Sequence, residues 1–140
     1  MTAAAIFAPV FVQVALTFVL MFWMATLRTE AVRRGEARIR DTALREPNWP
    51  PAVRQVANCY HNQLELPLLF YLVVILAYDL RKADYLFVIM AWLFVISRLM
   101  HAAIHTTSNQ VPRRFIAFAV GAVVLLLMWA LLAARVLLGI

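Results

Sequence analysis

The sequence predicts an all-α integral membrane protein, a four-helix bundle that crosses a lipid bilayer four times as an antiparallel, up-and-down protomer. Three observations carry this. Of the 140 residues, 65% are apolar and only 14% charged, which is not the composition of a soluble domain. Crossing about 30 Å of hydrocarbon takes ~20 residues at about 1.5 Å each, and the apolar runs 5–27, 85–104 and 115–138 each supply that length. Finally, most of the charges gather in a few short stretches between the runs.

The first run has the length of a span and lacks the features of a cleaved signal. No basic segment precedes it, it exceeds the usual apolar core of a signal, and arginines follow without a small-residue cleavage site. It is therefore expected to remain as a membrane helix over 5–27. Pro9 falls near its start, where a missing N–H costs little. The connection from Arg28 to Pro51 opens arginine-rich and helix-compatible. It closes on Pro47, Pro50 and Pro51, which stop a helix and favour extended backbone. Trp49 beside them is a natural interfacial anchor.

Residues 64–80 are too few to span on their own, so the second span is expected to run over 53–80 and to include the polar turns before Leu64. Only Arg81, Lys82, Ala83 and Asp84 join it to the third span, 84–105, which makes the two helices antiparallel neighbours. The fourth span, 113–138, begins just after Pro112. Being apolar nearly throughout, it is expected to face lipid or to pack without chemistry. The whole chain, 1–140, reads as one domain with no repeat and no low-complexity tract.

A net charge of +6 raises the question of nucleic acid. The arginines, however, are juxtamembrane and interleaved with Glu30, Glu36, Asp41 and Glu46, so lipid headgroups account for them and no nucleic-acid partner is expected. The first connection carries Arg28, Arg33, Arg34, Arg38, Arg40, Arg45 and Arg54, and the third carries Arg113 and Arg114. The opposite side has only Arg81, Lys82 and Arg135. By the positive-inside rule the first and third connections are cytoplasmic and both termini non-cytoplasmic. Cys59 is the only cysteine, which excludes an intrachain disulfide and fits burial as a small hydrophobe.

Ionisable and amide side chains at membrane depth must face protein or a watery cavity, and each is a functional candidate. In the second span Asn58, His61, Asn62 and Glu65 have the spacing of one helical face. In the third, Arg98, His101 and His105 do the same. The first span adds Gln13 and Thr17 on one face and Arg28 at its end. Together these predict a polar pocket open to the cytoplasm, lined by Asn62, Glu65, Arg98 and His101 with Arg28 and Arg113 or Arg114. Glu65 and Arg98 are expected to face each other, either as an ion pair that makes both burials tolerable or as part of a working site. Asp79 and Arg135 lie near span ends, where snorkelling to the interface explains them. His61 with Glu65, and His101 with His105, are each four apart as metal ligands on a helix are, but Arg98 would repel a cation and no metal is expected.

The stretch Asn58-Cys-Tyr-His-Asn-Gln-Leu-Glu-Leu-Pro67, followed by Arg98-Leu-Met-His101 and Pro112-Arg-Arg114, resembles the MAPEG family, the membrane-associated proteins of eicosanoid and glutathione metabolism. The likeness extends over nearly the whole chain and is to a bacterial-type member. It implies a homotrimer in the inner membrane, with the second span near the three-fold axis and glutathione held between neighbouring subunits. By position, Asn62 and Glu65 look like glutathione contacts, with Glu65 taking the amino group. Arg98 and His101 resemble supporting contacts, Arg28 the arginine of the first span, and Arg114 or Arg113 the arginine that polarises the thiol. Asn58 and His61 stand where the family's synthases often carry basic residues, and His105 where they carry a tyrosine. The activity implied is a glutathione-dependent transferase or peroxidase acting on a lipophilic electrophile from the bilayer. The alternative is a catalytically inactive binding or scaffold protein of the same fold.

Overall fold

The computed structural model describes residues 1–44 and 48–139, so Arg45, Glu46 and Pro47 of the proline-rich connection lie outside the described residues. The described residues form α1 (Ala3–Arg33), a four-residue 3-10 turn (Ile39–Thr42), α2 (Pro51–Asn62), α3 (Leu66–Asp79), α4 (Tyr85–Thr106) and α5 (Val111–Leu137). Four stretches are long and apolar enough to cross a membrane: Ala3–Arg33, Pro51–Asp79, Tyr85–Thr106 and Val111–Leu137.

Thr2 caps α1, its hydroxyl accepting from the Ala5 N–H at 3.3 Å. The helix continues beyond the apolar run because the arginine-rich segment keeps good helix formers as far as Arg33. It stops at Gly35, whose φ of +74° is open to glycine at little steric penalty. Glu36 N–H then donates to Ala31 O at 3.0 Å and Gly35 N–H to Val32 O at 3.1 Å, closing the last turn as a left-handed C-cap does.

The second span is not the single helix expected over 53–80. Proline at position 67 has no N–H to give to the Gln63 carbonyl, and its ring crowds the preceding turn. The chain instead makes tighter bonds, Gln63 N–H to Tyr60 O at 2.9 Å and Leu64 N–H to His61 O at 3.0 Å. Glu65 leaves the helical region altogether (φ −103°, ψ −105°) before α3 restarts with Pro67 in its first turn. This break at membrane depth is what builds the polar site.

Buried Phe70, Val73 and Val74 of α3 meet Phe94 and Val95 of α4 and Met128 of α5 in the main core. Phe70 and Phe94 stack at 4.5 Å, and Phe7 of α1 meets Tyr78 of α3 edge-on at 4.9 Å. Helices α4 and α5 pack closely at Gly121, where a Cβ would lie 2.5 Å from the Ser97 hydroxyl. The outer surface is apolar. Phe11, Leu126 and Phe22 are all more than 60% exposed, as suits a bilayer and not water.

Arg135 extends to the connection between α3 and α4. It donates to Lys82 O at 2.8 Å and to the Asp84 carboxylate at 2.6 Å, tying the end of α5 to the α3–α4 connection. That hydrogen bond holds the Asp84 carboxyl below its ordinary value of 3.8. A depressed carboxylate contributes stability that is fully present above the unfolded value and is lost as pH falls through the folded one. The loss therefore begins below about pH 4 and, with the Asp84 side chain 49% exposed, amounts to roughly 0.2–1 kcal/mol. Acid unfolding of Asp84→Asn in micelles should lack this increment, and an unchanged acid limb would show the pair to be inert.

Candidate functional site

A helix that breaks within a membrane leaves backbone carbonyls that need new donors, and such backbone is tolerated only where protein covers it. Two fully buried side chains flank the break. Arg98 of α4, 0% exposed, hydrogen-bonds the Asn62 side-chain oxygen and donates to Asn62 O at 3.4 Å. It thereby puts a cation at the C-terminus of α2, where the helix dipole favours one. On the other side Gln63, also 0% exposed, accepts from Gln13 Nε2 of α1 at 3.0 Å and donates to Cys59 O at 3.0 Å. Farther along, Gln55 Nε2 donates to His105 O at 2.8 Å and Thr107 O at 3.2 Å, fastening the start of α2 to the end of α4.

This geometry corrects the expected Glu65–Arg98 pair. Among the described residues the two form no ion pair. Asn62 stands between them, donating to the Glu65 carboxylate at 3.5 Å while accepting from Arg98. The physical cause is Pro67: Glu65 sits in the break, outside the register of α2, and is exposed. Its spacing from Asn58, His61 and Asn62 therefore does not place all four on one helical face.

From Arg98 the polar stripe of α4 continues through His101 and His105, 3% and 7% exposed, with their rings edge-on at 5.4 Å. Phe118 of α5 covers this stripe, 6.0 Å from His101 between ring centroids and 5.9 Å from the Arg98 guanidinium carbon. Between α2, α4 and α5 a cleft of about 210 Å³ opens, lined by Asn62, His101, Val111, Arg114, Phe115 and Phe118. At its rim Arg114 is steadied by Asn109, to which it donates at 2.5 Å. Asn109 has a backbone φ of +49°, a conformation that asparagine tolerates better than most residues.

Four buried nitrogens of the α4 stripe carry no hydrogen-bond partner among the described residues: Nε and Nη1 of Arg98 and the Nδ1 atoms of His101, which lines the cleft, and His105. Buried polar atoms are almost always paired, so the unpartnered His101 Nδ1 in the cleft lining suits water or a polar ligand there. Arg114 at the rim favours a ligand carrying negative charge.

The cleft thus unites Asn62, His101 and Arg114; Arg98 adjoins it through Phe118, and His105 through His101. Other candidates lie elsewhere. Arg28 sits 5.0 Å over the Trp49 ring, next to the small cluster of Leu27, Ala31 and Val53, and does not line the cleft. Asn58 is exposed, and His61 packs obliquely on its neighbour Tyr60 at 5.3 Å. Arg113 is exposed and turns to a different groove between α4 and α5. Sequence reasoning missed Gln63, Gln55, Asn109 and Phe118. Gln63 had a signal, an amide out of phase with the stripe and four residues before a proline. Phe118 had none, since it belongs to the span expected to lack chemistry.

The family model described as the MAPEG family matches residues 6–134 of this chain. No curated protein and no solved structure matches it.

Proposed function

This chain belongs to the MAPEG family, and from that premise we propose that it is a glutathione-dependent transferase or peroxidase acting on a lipophilic electrophile drawn from the bilayer. The observation that carries the reading is the cleft itself, with Arg114 at its rim and Asn62 and His101 in its wall, the His101 Nδ1 being buried without a hydrogen-bond partner. Glutathione offers two carboxylates and, once ionised, a thiolate. Guanidinium groups bind such a ligand, and a cation beside the sulfur lowers the thiol pKa and so raises the thiolate fraction. Arg114 takes that role, being the one of the two neighbouring arginines that reaches the cleft. The thiolate forms a new bond to the electrophilic atom of the substrate, and that atom's leaving group departs with the electron pair.

In this reading the antiparallel protomers assemble as a homotrimer with the second span near the three-fold axis, in the inner membrane. The Arg28–Arg54 and Thr106–Arg114 connections are cytoplasmic and both termini lie on the other side. Asn58 and Glu65 are exposed on a single protomer, which suits residues that complete a site between copies. Arg28 stands apart from the cleft of its own protomer and joins a glutathione site only across such an interface. Glu65 binds the tripeptide's amino group, with Asn62 and His61 beside it.

The test is direct binding. Glutathione in hundredfold excess over its dissociation constant stabilises a protein by about 2.7 kcal/mol, so the purified protein should unfold at higher temperature with glutathione and give a saturable calorimetric signal. The same additions to Arg114→Ala should give a weaker response. Neither signal at millimolar glutathione would favour an inactive scaffold of this fold, the reading that agrees with Arg28 and Glu65 lying outside the cleft.

A further inference from the structure

Helix α5 presents a second face to α4, roughly opposite the one that lines the cleft. Positions 111, 114, 115 and 118 point to the cleft, whereas 113, 116, 117 and 120 lie about half a turn away at helical spacing. On this second side a groove of about 350 Å³ is lined by Ser97, Met100, Ile104, Arg113, Ile116, Ala117 and Val120.

Its shape follows from three residues. Next to Val120, Gly121 lets α5 close on Ser97, where a Cβ would lie 2.5 Å from the Ser97 hydroxyl. At Ala117 a small side chain leaves room, and at the other end stands Arg113, in the first turn of α5. From Arg113 to Val120 is about 10 Å along the helix, a path leading from the basic end of the bundle into the hydrocarbon layer.

The groove's chemistry is divided in the same way. Ser97 adds little polarity, since its hydroxyl donates to Phe94 O at 2.6 Å, and apart from Arg113 the other lining side chains are apolar. Arg113 is the one charged lining residue, and no described ion pair engages it. An apolar slot with an unneutralised guanidinium at its interfacial end is complementary to a molecule with a hydrocarbon chain and an anionic head.

We propose that this groove is a binding site for an anionic glycerophospholipid, one acyl chain lying between α4 and α5 and the phosphate resting on Arg113. The site is independent of glutathione and of the cleft, and a lipid seated there would brace the α4–α5 pair that carries Arg114.

Native mass spectrometry of protein released from nanodiscs of equal phosphatidylglycerol and phosphatidylcholine tests this. The wild-type chain should carry phosphatidylglycerol several-fold more often than phosphatidylcholine. Arg113→Gln should bring the two to parity, and Val120→Trp, a filling change at an exposed lining position, should reduce retention of both. Arg33→Gln, on an exposed arginine of the same basic end, should leave the wild-type ratio unaltered. The proposal fails if Arg113→Gln keeps the preference, if Val120→Trp keeps the lipid, or if Arg33→Gln shifts the ratio as far as Arg113→Gln does. A groove covered by a second copy of the chain would retain neither lipid, and that result would also overturn it.

Discussion

Asn62→Leu is expected to destabilise the protein by about 3 kcal/mol, the low end of the range for stranding a buried charge because Asn62 is itself only half-buried. The substitution removes the side-chain oxygen that accepts from Arg98. It leaves a fully buried guanidinium with one long bond, to Asn62 O at 3.4 Å. Adding Arg98→Met removes the stranded charge, so the double variant should be more stable than Asn62→Leu alone, a coupling that a double-mutant cycle measures. Glu65→Gln should alter stability by no more than about 0.5 kcal/mol, as exposed positions generally do. Reversible unfolding in mixed micelles gives all four values. Strict additivity of Asn62→Leu and Arg98→Met would show that the two residues do not act as a pair. A large loss in Glu65→Gln would restore the ion pair that the geometry removes.

The reversal from Glu65 to Asn62 shows how far sequence reasoning reaches here. Apolar run length and the placement of arginines make the spans legible, because a bilayer leaves a chain few choices. The depth of Arg98 and its kinship with His101 are legible too, since α4 is uninterrupted and helical spacing holds along it. Spacing failed where the helix itself failed. Pro67 displaces Glu65 from the face it would share with Asn62, a displacement that helical periodicity does not encode. The same break explains why Gln63, a residue with no place in the stripe, turns inward to Gln13. The fourth span misled for another reason. Its hydropathy is high, and hydropathy alone cannot tell a lipid-facing phenylalanine from Phe118, which covers a guanidinium and an imidazole. Arg113 and Arg114 are equivalent in sequence, and only the direction of each side chain separates them.

Because that separation places Arg114 alone at the cleft, Arg114→Ala carries the largest effect expected on turnover. Removing one positioned donor from developing negative charge typically lowers a rate by about a hundredfold or more, and in the proposed reaction that charge resides on the glutathione sulfur. A free cysteine thiol ionises near pH 8.5, and a neighbouring cation pulls this value down. The wild-type rate should therefore level off at a lower pH than the variant's, while Arg114→Ala should regain much of its loss as pH rises past about 8.5 and the thiol ionises unaided. Arg114→Lys keeps a cation but not the fork that Asn109 steadies, so it should recover part of the rate. Arg113→Ala, facing the other groove, should retain the wild-type pH profile. Turnover of a generic lipophilic electrophile in the presence of glutathione, followed across pH for the four proteins, separates these outcomes. An Arg114→Ala rate and profile equal to wild type would mean that this cleft does not hold the thiolate.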